Sequence, residues 1–378
     1  MIDIPNMLLI GASGRNAGKT ELACKIISQF AAAYSITGIK VTTIREGESH
    51  CPRGQEGCGI CGSISGNFDI IEETGRRNEK DTARLLKAGA KKVYWLKVKS
   101  SFLEAGIRTL IESEEPGTLF LCESNSLRTV VVPGVFLQIS GGQSGGKKAE
   151  IKASARRVAG YADRILKNCT PEIDEVLNVL SIANGAWILK EKAGVIILAG
   201  GKSNRMGMDK CLLPIKGFPM IEYIYRRLEP HFSEVLVSTN DETRFPFLKA
   251  RFCTDMMDGA GPLAGIASGL AASEYEVNAV VACDMPDIDI RFIKEMIRKS
   301  EGFDGVVPVD EKNRIEPAYA VYRKTMLNAM QAALDSGRRR IKAALDVSRI
   351  HYVFLKNKDW VRNINTQEDY ENYIKLQK

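Results

Sequence analysis

Twice along this chain a short, uninterrupted apolar run ends in a glycine-rich turn. The first is Met7-Leu8-Leu9-Ile10, followed by Gly11-Ala12-Ser13-Gly14; the second is Val195-Ile196-Ile197-Leu198, followed by Ala199-Gly200-Gly201. Runs this short and this apolar read as strands buried on both faces, as in a parallel sheet covered by helices. Two such openings predict two α/β domains, each a three-layer sandwich with a mostly parallel sheet.

The periodicity after the second run is regular. It predicts strands at 194–199, 234–238, 279–283, 303–308, 318–323 and 351–355, with helices at 220–229, 263–273, 289–300 and 324–335 and a terminal helix from Thr366. Before it, the pattern predicts a helix over 150–167, leading through Arg164-Ile165-Leu166, and a second over 171–183. The boundary is expected near 184–192, giving domains 1–188 and 189–378. The low-complexity run 141–148, although linker-like, is read as a loop inside the first domain.

Composition narrows the class. With 378 residues, 44% hydrophobic and 26% charged, the chain is an ordinary globular protein long enough for two cores. No apolar run reaches membrane-spanning length, and Met1-Ile2-Asp3-Ile4-Pro5 lacks a basic segment ahead of an apolar one. A cytoplasmic protein with no membrane partner is expected. The net charge of +7 is spread along the chain, which favours solubility and attraction of phosphates. It is not interleaved with aromatics, so no nucleic acid partner is expected.

Nine cysteines, an odd number, argue against a disulfide framework. Cys24, Cys122, Cys169, Cys211, Cys253 and Cys283 mostly lie in apolar runs, as buried thiols do. Cys51, Cys58 and Cys61 are clustered, and Cys-x-x-Cys is a good half-site for Zn or an Fe–S cluster. A reduced, unligated loop fits the same residues. His50 is a poor fourth ligand because adjacent residues rarely bind one metal.

The string after Leu198 is dense in chemistry. Gly200 and Gly201 let backbone N–H groups turn toward a ligand, while Arg205 and Lys210 supply charge for phosphate oxygens. Asp284 closes an apolar run, in Cys283-Asp284-Met285-Pro286. Alone, an Asp-x-Pro turn caps many helices and a lysine often faces water. The ordered set is what points to nucleotide chemistry.

That set resembles the molybdenum cofactor guanylyltransferases, the MobA family. The matching motifs are Leu198-Ala199-Gly200-Gly201, Arg205-Met206-Gly207, Asp209-Lys210 with Leu212-Leu213, and Gly217-Phe218-Pro219. Asp255 ahead of Gly261-Pro262-Leu263-Ala264-Gly265, the Asp284 turn, Gly337-Arg338-Arg339-Arg340 and Asn363-Ile364-Asn365-Thr366 follow in order, so that the resemblance spans 194–378. It implies a Rossmann-like nucleotidyltransferase domain of the nucleotide-diphospho-sugar transferase type. It also implies transfer of GMP from GTP to molybdopterin, with Mg²⁺ on Asp284. Lys210 and Arg205 would act with Asp284 in catalysis, and Leu198, Ala199, Gly200, Gly201, Lys210, Asp255 and Asp284 would bind the nucleotide. Gly200-Gly201 favours guanine, whereas related cytidylyltransferases carry Ala-Ala-Gly there. Ser238 stands where the family often has Asn, with Asn240 two residues on. Proteins of molybdenum insertion and molybdoenzyme maturation are the partners such an enzyme implies. A cytidylyltransferase of the same fold, or a GTP-binding module without transfer, remain the alternatives.

The first turn, Ser13-Gly14-Arg15-Asn16-Ala17-Gly18-Lys19-Thr20, is close to a P-loop, with Ser13 in place of its first glycine. Gly14, Gly18, Lys19 and Thr20 are expected to bind a nucleotide, and Thr20 with Glu123 to hold its Mg²⁺. With Ile39-Lys40-Val41-Thr42, Lys80-Asp81-Thr82, Ala88-Gly89-Ala90 and Cys122-Glu123-Ser124, this region resembles MobB, a GTP-binding partner of the same pathway. The resemblance implies a P-loop NTPase-like fold.

Overall fold

The computed structural model describes residues 1–14, 17–44, 64, 66–75, 80–140, 151–167, 170–200, 209–255, 257 and 261–376. They form two units, Met1–Leu189 and Lys190–Lys378. Each is a mixed α/β sandwich on its own sheet. Among the described residues no helix is long and apolar enough to cross a membrane.

In the first unit the strands are β1 (Ile2–Ala12), β2 (Ile36–Ile44), β3 (Phe68–Glu72), β4 (Lys92–Lys99), β5 (Leu119–Glu123), β6 (Val131–Ile139) and β7 (Arg164–Leu166). They lie in the order β3-β4-β2-β5-β1-β6-β7, all parallel except edge strand β3. The helices are α1 (Lys19–Phe30), α2 (Asp81–Lys87), α3 (Leu103–Glu112), α4 (Ala153–Val158) and α5 (Thr170–Val179). The central strand is apolar because both its faces are buried. Leu8 and Ile10 pack in one core with Leu22, Ile26 and Ile27 of α1. Met7 and Leu9 face the other core, with Leu103, Ile107 and Leu110 of α3.

Two of the expected helices are shorter in the structure. Within 151–167 the α-helix is α4 alone, a 3-10 turn follows at Ala159–Tyr161, and Arg164–Leu166 is a strand, not a helix end. The carboxylate of Asp163 accepts the backbone N–H of Phe136 at 2.8 Å, drawing the chain onto the sheet edge where β7 pairs with β6. The run over 171–183 is helical as α5, then turns into a hairpin, β8 (Leu180–Ala183) with β9 (Ala186–Leu189). Asn184 and Gly185 have φ of 51° and 72°, the positive values that an Asn-Gly hairpin turn requires. That local turn signal outweighs the helical periodicity.

In the second unit β10 (Glu191–Leu198) is central. A two-residue-strand hairpin, β11 (Pro214–Ile215) with β12 (Phe218–Pro219), precedes β13 (Phe232–Ser238), β14 (Arg251–Cys253), β15 (Val277–Ala282), β16 (Gly305–Val309), β17 (Tyr319–Arg323) and β18 (Ile350–Phe354). The sheet order is β14-β13-β10-β15-β17-β16-β18, with only β17 antiparallel to its neighbours. The helices are α6 (Met220–Leu228), α7 (Pro262–Ala272), α8 (Ile290–Arg298), α9 (Leu327–Asp335), α10 (Lys342–Leu345) and α11 (Gln367–Leu376). Val195 and Ile197 pack with α6 and α8, while Ile196 faces α7 and α9.

Candidate active site

In open α/β sheets, ligands bind beyond the carboxyl ends of the strands. In the second unit the chemistry gathers there, around the end of β10. Leu198 is in register with Ser238 on one side and Ala282 on the other. Its carbonyl accepts the N–H of Cys283 at 3.0 Å, and the N–H of Ala199 donates to Ser238 O at 2.9 Å. The glycine turn therefore leaves the sheet between the strand ends that carry Ser238 and Asp284.

On the Ser238 side a polar set is built. The buried Ser238 hydroxyl donates to Asp255 Oδ1 at 2.9 Å, and the N–H of Asp255 donates to Asn240 Oδ1 at 3.0 Å. Asp255 Oδ2 lies 3.8 Å from where a Cβ on Gly200 would stand, so the carboxylate borders the turn. Leu198, Ala199, Gly200 and Asp255 are thus brought together.

On the other side stand Lys210 and Asp284. Lys210 Nζ donates to Asn365 Oδ1 at 2.7 Å, and the carbonyl of Asp284 accepts the N–H of Ile364 at 2.9 Å. The segment around Asn365 is fixed by a reciprocal cap on α11. Thr366 N–H donates to Asp369 Oδ2 at 2.8 Å, and Asp369 N–H donates to Thr366 Oγ1 at 3.1 Å. Burial raises the carboxyl pKa of Asp284 above its ordinary value, and the positive charge of Lys210 opposes that rise. Glu316 is also raised, by burial and then by the negative charge of Asp284.

Arg244 joins the two sides and has no recognisable motif around it. Its Nε and Nη2 donate to Asp209 Oδ2 at 2.9 and 2.6 Å, and its Nη1 donates to the carbonyl of Ala199 at 3.0 Å. It ties the start of the glycine turn to the residue before Lys210. Arg338, Arg339 and Arg340 are exposed after Gly337. Gly201 and Arg205 lie outside the described residues, as do Cys51, Cys58 and Cys61.

The first unit holds a second constellation. Gly18, at φ 87°, turns the chain into α1. Lys19 and Thr20 open that helix, and the Thr20 hydroxyl donates to Glu123 Oε2 at 3.2 Å. Glu123 ends β5 beside β1 and is 5% exposed, and its Oε1 has no hydrogen-bond partner among the described residues. Burial raises Glu123 above the usual carboxylate range, with Lys40 opposing, and burial lowers Lys19, with Glu123 opposing. Among the described residues, none beyond its chain neighbours comes within 4 Å of where a Cβ on Gly14 would stand.

The profile of the MobA-like NTP transferase domain matches residues 195–349. A probable molybdenum cofactor guanylyltransferase of Methanosarcina mazei is 34% identical over 199 residues, which cover 47% of this chain and 88% of that protein. One of Peptoclostridium acidaminophilum is 33% identical over 195 residues, covering 48% and 88%. The crystal structure of molybdopterin-guanine dinucleotide biosynthesis protein A from Archaeoglobus fulgidus overlays with a TM-score of 0.44 at 24% identity, over 49% of this chain and 98% of that one.

Proposed function

Because the chain belongs, through its C-terminal unit, to the molybdenum cofactor guanylyltransferase family, we propose that this unit transfers GMP from GTP to molybdopterin. An oxygen of the molybdopterin phosphate attacks the α-phosphorus of GTP. The bond from the α-phosphorus to the bridging oxygen breaks, and pyrophosphate leaves with that oxygen. A phosphate monoester is already a competent nucleophile, so no general base is needed. The protein's work is charge neutralisation and alignment.

The observation that carries this reading is the pairing of Lys210 with Asn365 beside Asp284, at the end of β10. Lys210 sets a cation against phosphate oxygens, joined by Arg205 from the same turn. Gly200, joined by Gly201 through its place in the motif, takes the triphosphate, and Asp255 with Ser238 borders the nucleoside. Asp284 fits a hard divalent cation: it is a half-buried carboxylate oxygen donor just past the end of β15, beside the glycine turn. Bound there, Mg²⁺ would supply charge neutralisation on the phosphates.

We further infer that residues 1–189 form a P-loop-type nucleotide-binding domain. The Lys19–Thr20 helix start, Gly14, Gly18 and the orphaned Glu123 oxygen support that reading. Thr20 and Glu123 are the oxygen donors suited to its Mg²⁺.

Pyrophosphate release with molybdopterin and either GTP or CTP tests the transferase. GTP is the expected donor, and preference for CTP replaces the guanine reading. Asp284→Asn is expected to lower turnover by about 10²-fold or more with the fold intact, the scale of losing a preorganised electrostatic group. Unchanged turnover would remove Asp284 from the mechanism.

A further inference from the structure

The nucleotide reading of the first unit leaves two charged residues without a role. Lys40, in the middle of β2, is in direct register with Glu123 at the end of β5. Two strands in register stand about 4.8 Å apart, so Lys40 is the nearest cation on that strand to the buried carboxylate. Residues two apart on a strand share a face. Ile36, two such steps before Lys40, packs in the core of α1 and α2, which puts Lys40 on the side where Lys19 and Thr20 stand. Its ammonium is ion-paired to Asp81, the first residue of α2, and side-chain exposure is 19% for the lysine and 41% for the aspartate. The corner therefore holds two ammonium groups, Lys19 and Lys40, and two carboxylates, Glu123 and Asp81.

We propose that Lys40 reads the terminal phosphate of a nucleoside triphosphate bound at the Lys19–Thr20 turn, and that Asp81 holds Lys40 in reserve until then. The proposal rests on the phosphate-binding reading of that turn.

These two ammonium groups and two carboxylates balance one another in charge. A metal-bound triphosphate brings a cation toward the carboxylates and anionic oxygens toward the ammonium groups. Lys19, at the helix start, meets the inner phosphates of either a di- or a triphosphate. Lys40 sits a strand further on. Leaving Asp81 would strand a half-buried charge, which is costly unless another anion replaces it. A third phosphate is that replacement and a diphosphate lacks it. The partner exchange therefore favours the triphosphate, and it acts on the first residue of α2, so the loaded state is reported to that helix.

The test is calorimetric binding of β,γ-methylene-GTP and of GDP, both with Mg²⁺. It uses the full-length chain with Lys210→Ala in every arm, so that the second nucleotide site contributes equally. Lys40→Met is expected to weaken the triphosphate analogue about tenfold or more and GDP less than about threefold, the scale of one charge-assisted hydrogen bond. Lys40→Arg is expected to restore the ratio, which a merely structural ion pair would not require. Lys40→Gln serves in the same way if the methionine variant does not fold. An unchanged ratio in Lys40→Met, or equal weakening of both ligands, overturns the proposal. Lys19→Ala is the separate control: if it binds the triphosphate analogue as the parent does, the phosphate-binding turn itself is wrong, and the role of Lys40 falls with it.

Discussion

His231 shows how a single half-buried side chain sets a condition on the whole second unit. Its imidazole pKa is lowered to about 3, by burial and then by the charges of Lys294, Arg227 and Lys190. The unfolded chain takes up a proton near the ordinary value of 6.5, while the folded chain does not. Between those values the unfolded state binds more protons, so stability falls as pH falls from about 6.5 toward 3. His231→Gln is expected to flatten that part of the stability curve, followed by thermal melts in buffers from pH 7 to about 4. An equally steep fall in the variant would assign the effect to other groups. The site residues divided differently between sequence and structure. Asp284, Lys210 and Asp255 stand in motifs whose order is itself the signal. Arg244 stands in none, because its role comes from reaching Asp209 and the Ala199 carbonyl across folded space.

The helix α7 carries two glycines that do different work. A Cβ on Gly269 would stand 2.6 Å from Ile196 Cγ2, so the helix lies against β10 with no room for a methyl group. A Cβ on Gly265 would stand 2.9 Å from Ser238 Oγ and 3.3 Å from Asp255 Oδ1. Gly269→Ala is expected to cost about 1–3 kcal/mol of stability, the usual price of overpacking, with KM for GTP nearly unchanged in the surviving folded fraction. Gly265→Ala is expected to displace Ser238 and Asp255 and to raise KM for GTP. Denaturant melts and initial rates on both variants decide it, and an equal effect on KM would break the distinction. Elements with a strong period were readable from the chain alone, as α6, α7 and α8 illustrate. Where periodicity met a competing local signal, the local signal won. Asn184-Gly185 ended one helix early, and Asp163 turned the end of another into an edge strand. A pattern of apolar residues does not carry a hydrogen bond from Phe136, so that part was not legible in advance.

At the scale of the whole molecule, the two units differ in how they are known. The relatives from M. mazei and P. acidaminophilum are matched over 88% of their own length by less than half of this chain. A sequence of that length is thus nearly a whole protein elsewhere. Here the same stretch has its own two-faced core, with Val195 and Ile197 on one side of β10 and Ile196 on the other. The division falls after Leu189, at the end of the β8–β9 hairpin, whose Trp187 is buried in the first unit's core. Cutting there leaves both cores intact, and it interrupts no strand of either large sheet. Residues 190–378 made alone are therefore expected to fold cooperatively and to release pyrophosphate from GTP and molybdopterin within about threefold of the full-length rate, since independent units lose little when separated. Residues 1–189 made alone are expected to keep nucleotide binding and to lack the transferase activity. If the C-terminal piece folds yet turns over much more slowly, with KM unchanged, then the first unit contributes to the chemical step. If only its KM rises, the first unit contributes to substrate capture instead, and the charged corner at Lys19, Lys40, Asp81 and Glu123 becomes the place to look for that coupling.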